Sequence, residues 1–573
     1  MNVRRCGPAA LVAAALGGAV LSGCSGGSGN GTSGAGSGGP VTPTGAARLL
    51  TQATFGPTDA DIAAVQSAGV DGWITEQMAA PQPSSQAFMT AQLVALKAAN
   101  PNASVGPTQF YQSFWQQAAT APDQLRERVT LALSEQFVVS FQFSNVDAVG
   151  MGAYWDMLGA NAFGNFRTLL ENVTLNPQMG RYLTYLGNQK ENPATGQHPD
   201  ENYAREVMQL MTIGLWQLNQ DGTQKLDGSG NPIATYTHDD IAGLAKVFTG
   251  LSFYSPAPTA TTFYGGNKDP AAEVKPMSYY PAFHSVSEKD FLGVVIPAST
   301  APDPAGDVKI ALDTLFNHPN VGPFVARNLI QHLVTSNPSP AYVSRVAGVF
   351  NNNGKGVRGD MAAVVRAVLT DAEARDDTAA GSATFGKLRE PVVRMANWMR
   401  AFGATSASGT WGLGDTSAAT SLDQAVLNAP SVFNFWRPGY VPSNSKLGTA
   451  GLVGPEFQVV DEVSVAGYIN TLSSAITSGV GSASGVTGPD IRTTYAREVS
   501  LAATPQSLVD RLNTLLFYGQ MSSGLQQTLV NAINSVPIPG GSATAAQITA
   551  AQTQRVQLAV LMAMTSGEYL AQR

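Results

Sequence analysis

Two stretches of this sequence gather groups that could move protons or hold a polar ligand. The first is Glu201-Asn202-Tyr203-Ala204-Arg205-Glu206. As a helix running on to Gly214, it sets Glu201 one turn from Arg205 and Asn202 one turn from Glu206, so each pair shares a face. Tyr203, Val207 and Leu210 then form the opposite, apolar stripe. A row of Glu, Asn, Arg and Glu along a cleft could bind a polar substrate and act as general acid or base. The same row also suits an ion-pair ladder on a solvated face or between helices. The second stretch supplies Asp240, beside His238 and Asp239, with His284 further on. Glu201, Arg205, Glu206, Asp240 and His284 are the candidate catalytic set. Glu201, Glu206 or Asp240 would be the acid–base groups, assisted by His284 or Arg205.

The five histidines are His198, His238, His284, His318 and His332. None stands in HExxH or a similar zinc spacing, so no metal ligand is assigned. Each alone fits a cap or a packed polar residue, and His318, before Pro319, fits a cap. Asn219-Gln220-Asp221-Gly222-Thr223 with Asp227-Gly228 has the look of a calcium loop. It lacks the acidic ligand at position 12, and Asp-Gly turns explain it without metal. No cofactor is therefore predicted, calcium being the one weighed. A Pro-rich loop carries many aromatics, among them Tyr254, Tyr264 and Tyr280. These three are candidate ligand-binding residues, because exposed aromatic faces suit sugar rings; alternatively they pin the loop to the body. Trp411 and Trp436, with Arg437-Pro438-Gly439-Tyr440, admit the same two readings. P-loop and CxxC signatures are missing.

The elements that must position these groups are helices. From Ala46 onward the dominant period is helical. Thr58 caps one helix, with Asp59 and Asp61 in its first turn. Further helices are predicted over Gly322–Val334, Ala341–Phe350, Asp360–Leu369, Glu390–Ala401 and Ala545–Met564. Thr223–Thr237 is predicted as a hairpin around Asp227-Gly228, and Phe291–Ile296 as a short strand. The expected fold is mainly α: one large multi-helix domain, residues 46–573, with a small β-hairpin insertion. Charged residues are only 13% of the chain and its net charge is −7, so it lacks the basic stripe of a nucleic-acid binder. An ordinary apolar share of 44% excludes a disordered chain.

The N-terminus reads as an address. Arg4 and Arg5 precede an apolar stretch, Ala9–Val20, too short to span a bilayer comfortably. Leu21-Ser22-Gly23-Cys24 then matches a bacterial lipobox. Residues 1–23 are expected to be a lipoprotein signal peptide and Cys24 the lipidated residue. Residues 24–45 follow as a Gly/Ser tether of roughly 25 Å mean span. Ser25, rather than Asp, after Cys24 points to the outer membrane, with the protein held in the cell envelope by its acyl chains.

Several segments, in order along the chain, resemble the bacterial domain-of-unknown-function family 1800. They include Arg48-Leu49-Leu50 with Ala53-Thr54-Phe55-Gly56-Pro57, Glu201 to Glu206 running to Thr212-Ile213-Gly214, and Phe248-Thr249-Gly250. They continue with His318-Pro319-Asn320, Lys387-Leu388-Arg389-Glu390-Pro391 and Pro430 to Phe435. The chain departs from the commonest pattern twice. Many members carry His-Asn-His after Leu-Arg-Glu-Arg, where this chain has Ser134-Glu135-Gln136, and His where it has Met211. A metal site built on those histidines would be altered here. The resemblance implies no agreed activity, but it does imply a secreted, sulfatase-like protein as partner. Two functions follow as expectations. One is a surface lipoprotein acting as a platform for that partner or a surface polymer; the other is a hydrolase or lyase acting on polysaccharide.

Overall fold

A computed structural model describes residues 41–573, apart from Ser144. The expected signal segment, Cys24 and the tether as far as Pro40 lie outside the described residues. The mainly α prediction holds: twenty-five α-helices occur among the described residues, with only two- and three-residue antiparallel strand pairs beside them. The first helix, Pro43–Ala53, starts slightly ahead of the expected domain edge, because Thr42 caps it and Pro43 stands at its first position.

Local chemistry explains the boundaries. The Thr58 side chain accepts from the Asp61 amide at the head of Asp59–Ala79, as its position predicts. The helices Val321–Leu333, Pro340–Asn351, Met361–Thr370, Pro391–Ala401 and Ala545–Thr565 match the predicted spans within a residue or so. Each turns an apolar stripe inward, where Leu329, Val346, Val365, Met395 and Val560 are buried in one continuous core.

Two elements differ from the prediction. Phe291–Ile296 is a hairpin rather than one strand: Lys289–Phe291 pairs with Val294–Ile296. Leu292 and Gly293, both at positive φ, form the two-residue turn that matches strand twist. The predicted Thr223–Thr237 hairpin is one arm of a looser meander. Its isolated bridges join Trp216 to Ala234, Leu218 to Gln224 and Leu226 to Pro232. No helix among the described residues is long and apolar enough to cross a membrane.

Candidate functional site

The Glu201–Glu206 stretch does not continue as one α-helix. Asn202–Glu206 is α, and Val207–Thr212 widens into a π-turn. Thr212 Oγ1 bonds back to the Val207 carbonyl at 2.5 Å, and the Ile213 amide bonds to the Met208 carbonyl at 3.0 Å. A wide turn breaks the 3.6-residue register. Leu210, expected in the buried stripe with Tyr203 and Val207, therefore lies half-buried on the wall of a cleft.

The structure does not gather the five residues singled out by sequence into one pocket. Glu201 pairs with Arg205 at 3.1 Å, and His238 lies 4.0 Å away on the exposed side. Asp240 belongs to the capping box of the His238–Val247 helix; its carboxylate accepts from Thr237 and from the Leu292 amide at 2.6 Å. These bonds hold its carboxyl below the usual range, against the opposing effect of burial. His284 is fully buried, between the Thr249 carbonyl at 2.8 Å and Asp307 at 2.9 Å. Lys289 closes that group on Asp307 at 2.9 Å. Glu206 is buried, its Oε2 without a partner, and burial raises its pKa. Of the tyrosines, Tyr280 is buried and bonds the Phe253 carbonyl at 2.7 Å. Tyr254 lies under Lys275 at 4.2 Å, and Tyr264 alone is widely exposed. His318 serves a turn, its Nδ1 accepting from the Asn320 amide at 3.1 Å. Asp221 and Asp227 accept from amides two to four residues on, the expected Asx turns.

An aromatic-walled cleft lies elsewhere. Its volume is about 550 Å³, and its walls come from the π-turn, the meander, the Val321–Leu333 helix and the Val432–Gly439 loop. Trp216, Phe324, Phe433 and Trp436 supply aromatic surface. Arg327 and Arg437 are exposed on its walls, with no carboxylate partner among the described residues. Of the Trp411, Trp436 and Arg437 group, Trp436 and Arg437 line this cleft, Trp436 with its ring largely buried, and Trp411 does not. Glu135, His332 and Glu456 are the titratable groups among its acidic and imidazole lining.

Three helices deliver these groups. Gln124–Gln136 is buried along most of its length, and Arg128 and Glu135 stand two turns apart on it, hence on one side. Val321–Leu333 carries His332 in its last turn. The His332 carbonyl has no partner within the helix, so it takes Arg128 Nη2 at 2.6 Å and Lys387 Nζ at 2.7 Å. Pro391–Ala401 begins with Glu390 as its N-cap residue, where the helix dipole favours an anion. Arg128 and Lys387 lie 3.1 and 3.2 Å from Glu390 Oε1. Burial alone would raise the Glu390 pKa, but Arg128 and then Lys387 outweigh it and hold the carboxyl low. Lys387 also reaches Glu456 at 3.0 Å.

Glu135 behaves differently. Burial and the nearby Glu390 charge raise its pKa above the ordinary value. Gln424 donates to its Oε1 at 3.1 Å, and Oε2 lies 3.0 Å from His332 Nδ1 without hydrogen-bond geometry. Two neighbouring carboxyls pushed in opposite directions form the pattern of an acid and its charged companion. The two departures from the family pattern meet at this place, where Gln136 Nε2 donates to the Met211 carbonyl at 3.0 Å.

Sequence reasoning missed Glu135, His332, Glu390 and Glu456 as a set. One signal was present. In a chain so poor in charge, Glu135 follows Leu131-Ala132-Leu133 and His332 follows Leu329-Ile330, so both sit in runs that must be buried and need partners.

No curated protein and no solved structure matches the chain. A family model does, over residues 48–571, nearly the whole of the described fold. The chain therefore belongs to the family described as protein of unknown function (DUF1800).

Proposed function

We propose that this protein is a lipid-anchored component of the bacterial cell envelope that binds an acidic polysaccharide in the cleft and cleaves it as a hydrolase or lyase. The observation that carries the reading is convergence: one aromatic-walled cleft has a carboxylate–imidazole floor and two unpaired arginines on its walls. The exposed flat face of Trp216 suits a sugar ring. Arg327 and Arg437 suit carboxylate or sulfate groups on the polymer. Glu135 and His332, with Glu456 opposite Lys387, supply proton transfer at the scissile bond. The lipobox at Cys24 and the tether would hold the cleft near surface glycans.

The test is glycan depolymerisation by the purified full chain, using uronate-rich and sulfated polysaccharides and reading new reducing ends and unsaturated termini. Cleavage should fall at least about 100-fold in Glu135→Gln, the scale of a lost acid–base group. It should weaken through KM in Arg327→Ala. Cleavage unchanged in both variants, or no cleavage of any acidic glycan by the wild type, would remove this reading.

A second observation favours the platform reading. Val463, Val465 and Ile469 are exposed on the Glu462–Thr477 helix, with Val460 just before it. Val465 and Ile469, one turn apart, form an apolar patch that fits a protein partner, and a secreted sulfatase-like protein is the one the family resemblance supplies. Crosslinking from the native membrane should capture a stoichiometric partner from wild type and lose it in Val465→Glu/Ile469→Glu. Recovery of the chain alone would count against the platform.

A further inference from the structure

At the cleft floor four unpartnered acceptors stand against two unpartnered donors, Arg128 Nε and Nη1. Glu135 Oε2, Glu390 Oε2, Glu456 Oε2 and Gln331 Oε1 are all buried without a hydrogen-bond partner. Buried carboxylate oxygens are costly to leave unpaired, because neither water nor a donor replaces their solvation. Asp123, whose oxygens also lack hydrogen bonds, has the Arg126 guanidinium 3.3 Å away as its counter-charge. At the floor, several belong to side chains that meet.

We propose that Glu135, His332 and Glu390 bind a divalent transition-metal ion. The proposal concerns the same floor as the polysaccharide reading but does not depend on what the cleft acts on. One donor atom from each of the three residues lies within 4.8 Å of the other two. Glu135 Oε2 and His332 Nδ1 are 3.0 Å apart, yet they are not oriented as a hydrogen bond. Two ligands held about 2.1 Å from one ion sit about 3.0 Å apart when octahedral and about 3.4 Å apart when tetrahedral. The 3.0 Å separation, which is also an ion-pair distance, matches that of neighbouring octahedral ligands.

The surroundings fit. Glu135 keeps Oε1 on Gln424, which is itself fixed by the Val392 amide at 3.1 Å. Glu390 keeps Oε1 on Arg128 and Lys387. Each carboxylate thus has one oxygen anchored and one spare, the arrangement by which outer partners orient metal ligands. With all three carboxylates ionised, as metal binding requires, Glu135, Glu390 and Glu456 stand against two cations, Arg128 and Lys387, an excess of one negative charge. That balance attracts a cation. One imidazole with carboxylates selects zinc, manganese or iron rather than calcium or magnesium. Glu135 and His332 also line the cleft, so water or substrate can complete the coordination, as in catalytic sites. With the ion in place, Glu456 is the carboxylate left over for proton transfer.

The test uses the full lipidated chain in detergent, stripped by chelator and dialysed against Zn²⁺ or Mn²⁺, with bound metal measured by elemental analysis. We expect about one ion per chain and at least a tenfold loss of affinity in Glu135→Gln and His332→Ala, with Glu201→Gln unchanged. Co²⁺ added to the stripped wild type should give a d–d absorption band, displaced by Zn²⁺. This readout needs no variant, so misfolding of a mutant leaves the proposal testable. Substoichiometric Zn²⁺ and Mn²⁺ in wild type with no cobalt band would overturn it, as would full occupancy in folded Glu135→Gln and His332→Ala. Metal binding without glycan cleavage would sink the polysaccharide reading and keep this one; cleavage unaffected by chelator and without bound metal would do the reverse.

Discussion

The His284 group and the His332 group contain the same kinds of residue, a histidine, carboxylate and lysine, and both are buried. In the first, His284 has Thr249 on one nitrogen and Asp307 on the other, while Lys289 completes the carboxylate. In the second, His332 contacts Glu135 without bonding it, and three carboxylate oxygens are left over beside a cleft. The first group stitches the Thr249 and His284 segments to the Pro304–Asn317 helix, and its polar capacity is used up. The second has capacity to spare, directed at a space a ligand can reach. Residue type does not separate a structural cluster from a chemical one; unmet hydrogen-bonding capacity next to a cavity does.

The largest test of this contrast is Glu390→Gln. It leaves Arg128 with no carboxylate partner and Lys387 with Glu456 only, and should cost about 3–5 kcal/mol in urea unfolding. His284→Ala should cost about 2–4 kcal/mol, through lost bonds and a cavity, yet leave metal content and ligand binding at the cleft unchanged. A change at the cleft would erase the distinction between the two groups.

Asp123 sharpens the contrast from another side: it is buried, has only the Arg126 guanidinium at 3.3 Å as a partner, and does not line the cleft. Burial raises its pKa to about 6, above the unfolded value of about 3.9. The fold therefore favours the neutral acid: this stabilisation is present below about pH 4 and is lost as pH rises through about 6. Asp123→Asn should gain about 1–2 kcal/mol at pH 7 and nothing at pH 4, with cleft chemistry untouched. Equal effects at both pH values would show that the carboxyl is not protonated in the fold. The smallest effect belongs to Glu201→Gln, which opens a partly exposed pair with Arg205 and should change stability by less than about 0.5 kcal/mol.

Much of the fold was legible because helix ends are local chemistry. Thr58 with Asp61, and Pro391 at the start of a helix, mark boundaries that need nothing from elsewhere. The hairpin at Leu292-Gly293 was half legible, since its apolar run showed but its positive-φ turn did not. The floor was not legible, because Glu135, His332 and Glu390 come from three helices distant in sequence and no spacing rule links them. Glu201 and Arg205 drew attention for the opposite reason: their pairing is local and follows from helix geometry alone. The Val207–Thr212 turn was hidden because its residues differ little from those of an ordinary helix.

That turn gives the cleft a means of variation independent of its side chains. A π-turn holds one residue more than the α-turn it replaces, and each residue of an α-helix swings about 100° around the axis. A single-residue deletion within Val207–Thr212 would restore the regular helix and rotate Gln209, Leu210 and Ile213 out of their present positions on the wall. A descendant of this chain could thus reshape its specificity by losing one codon, with the floor residues and their supporting helices unaltered.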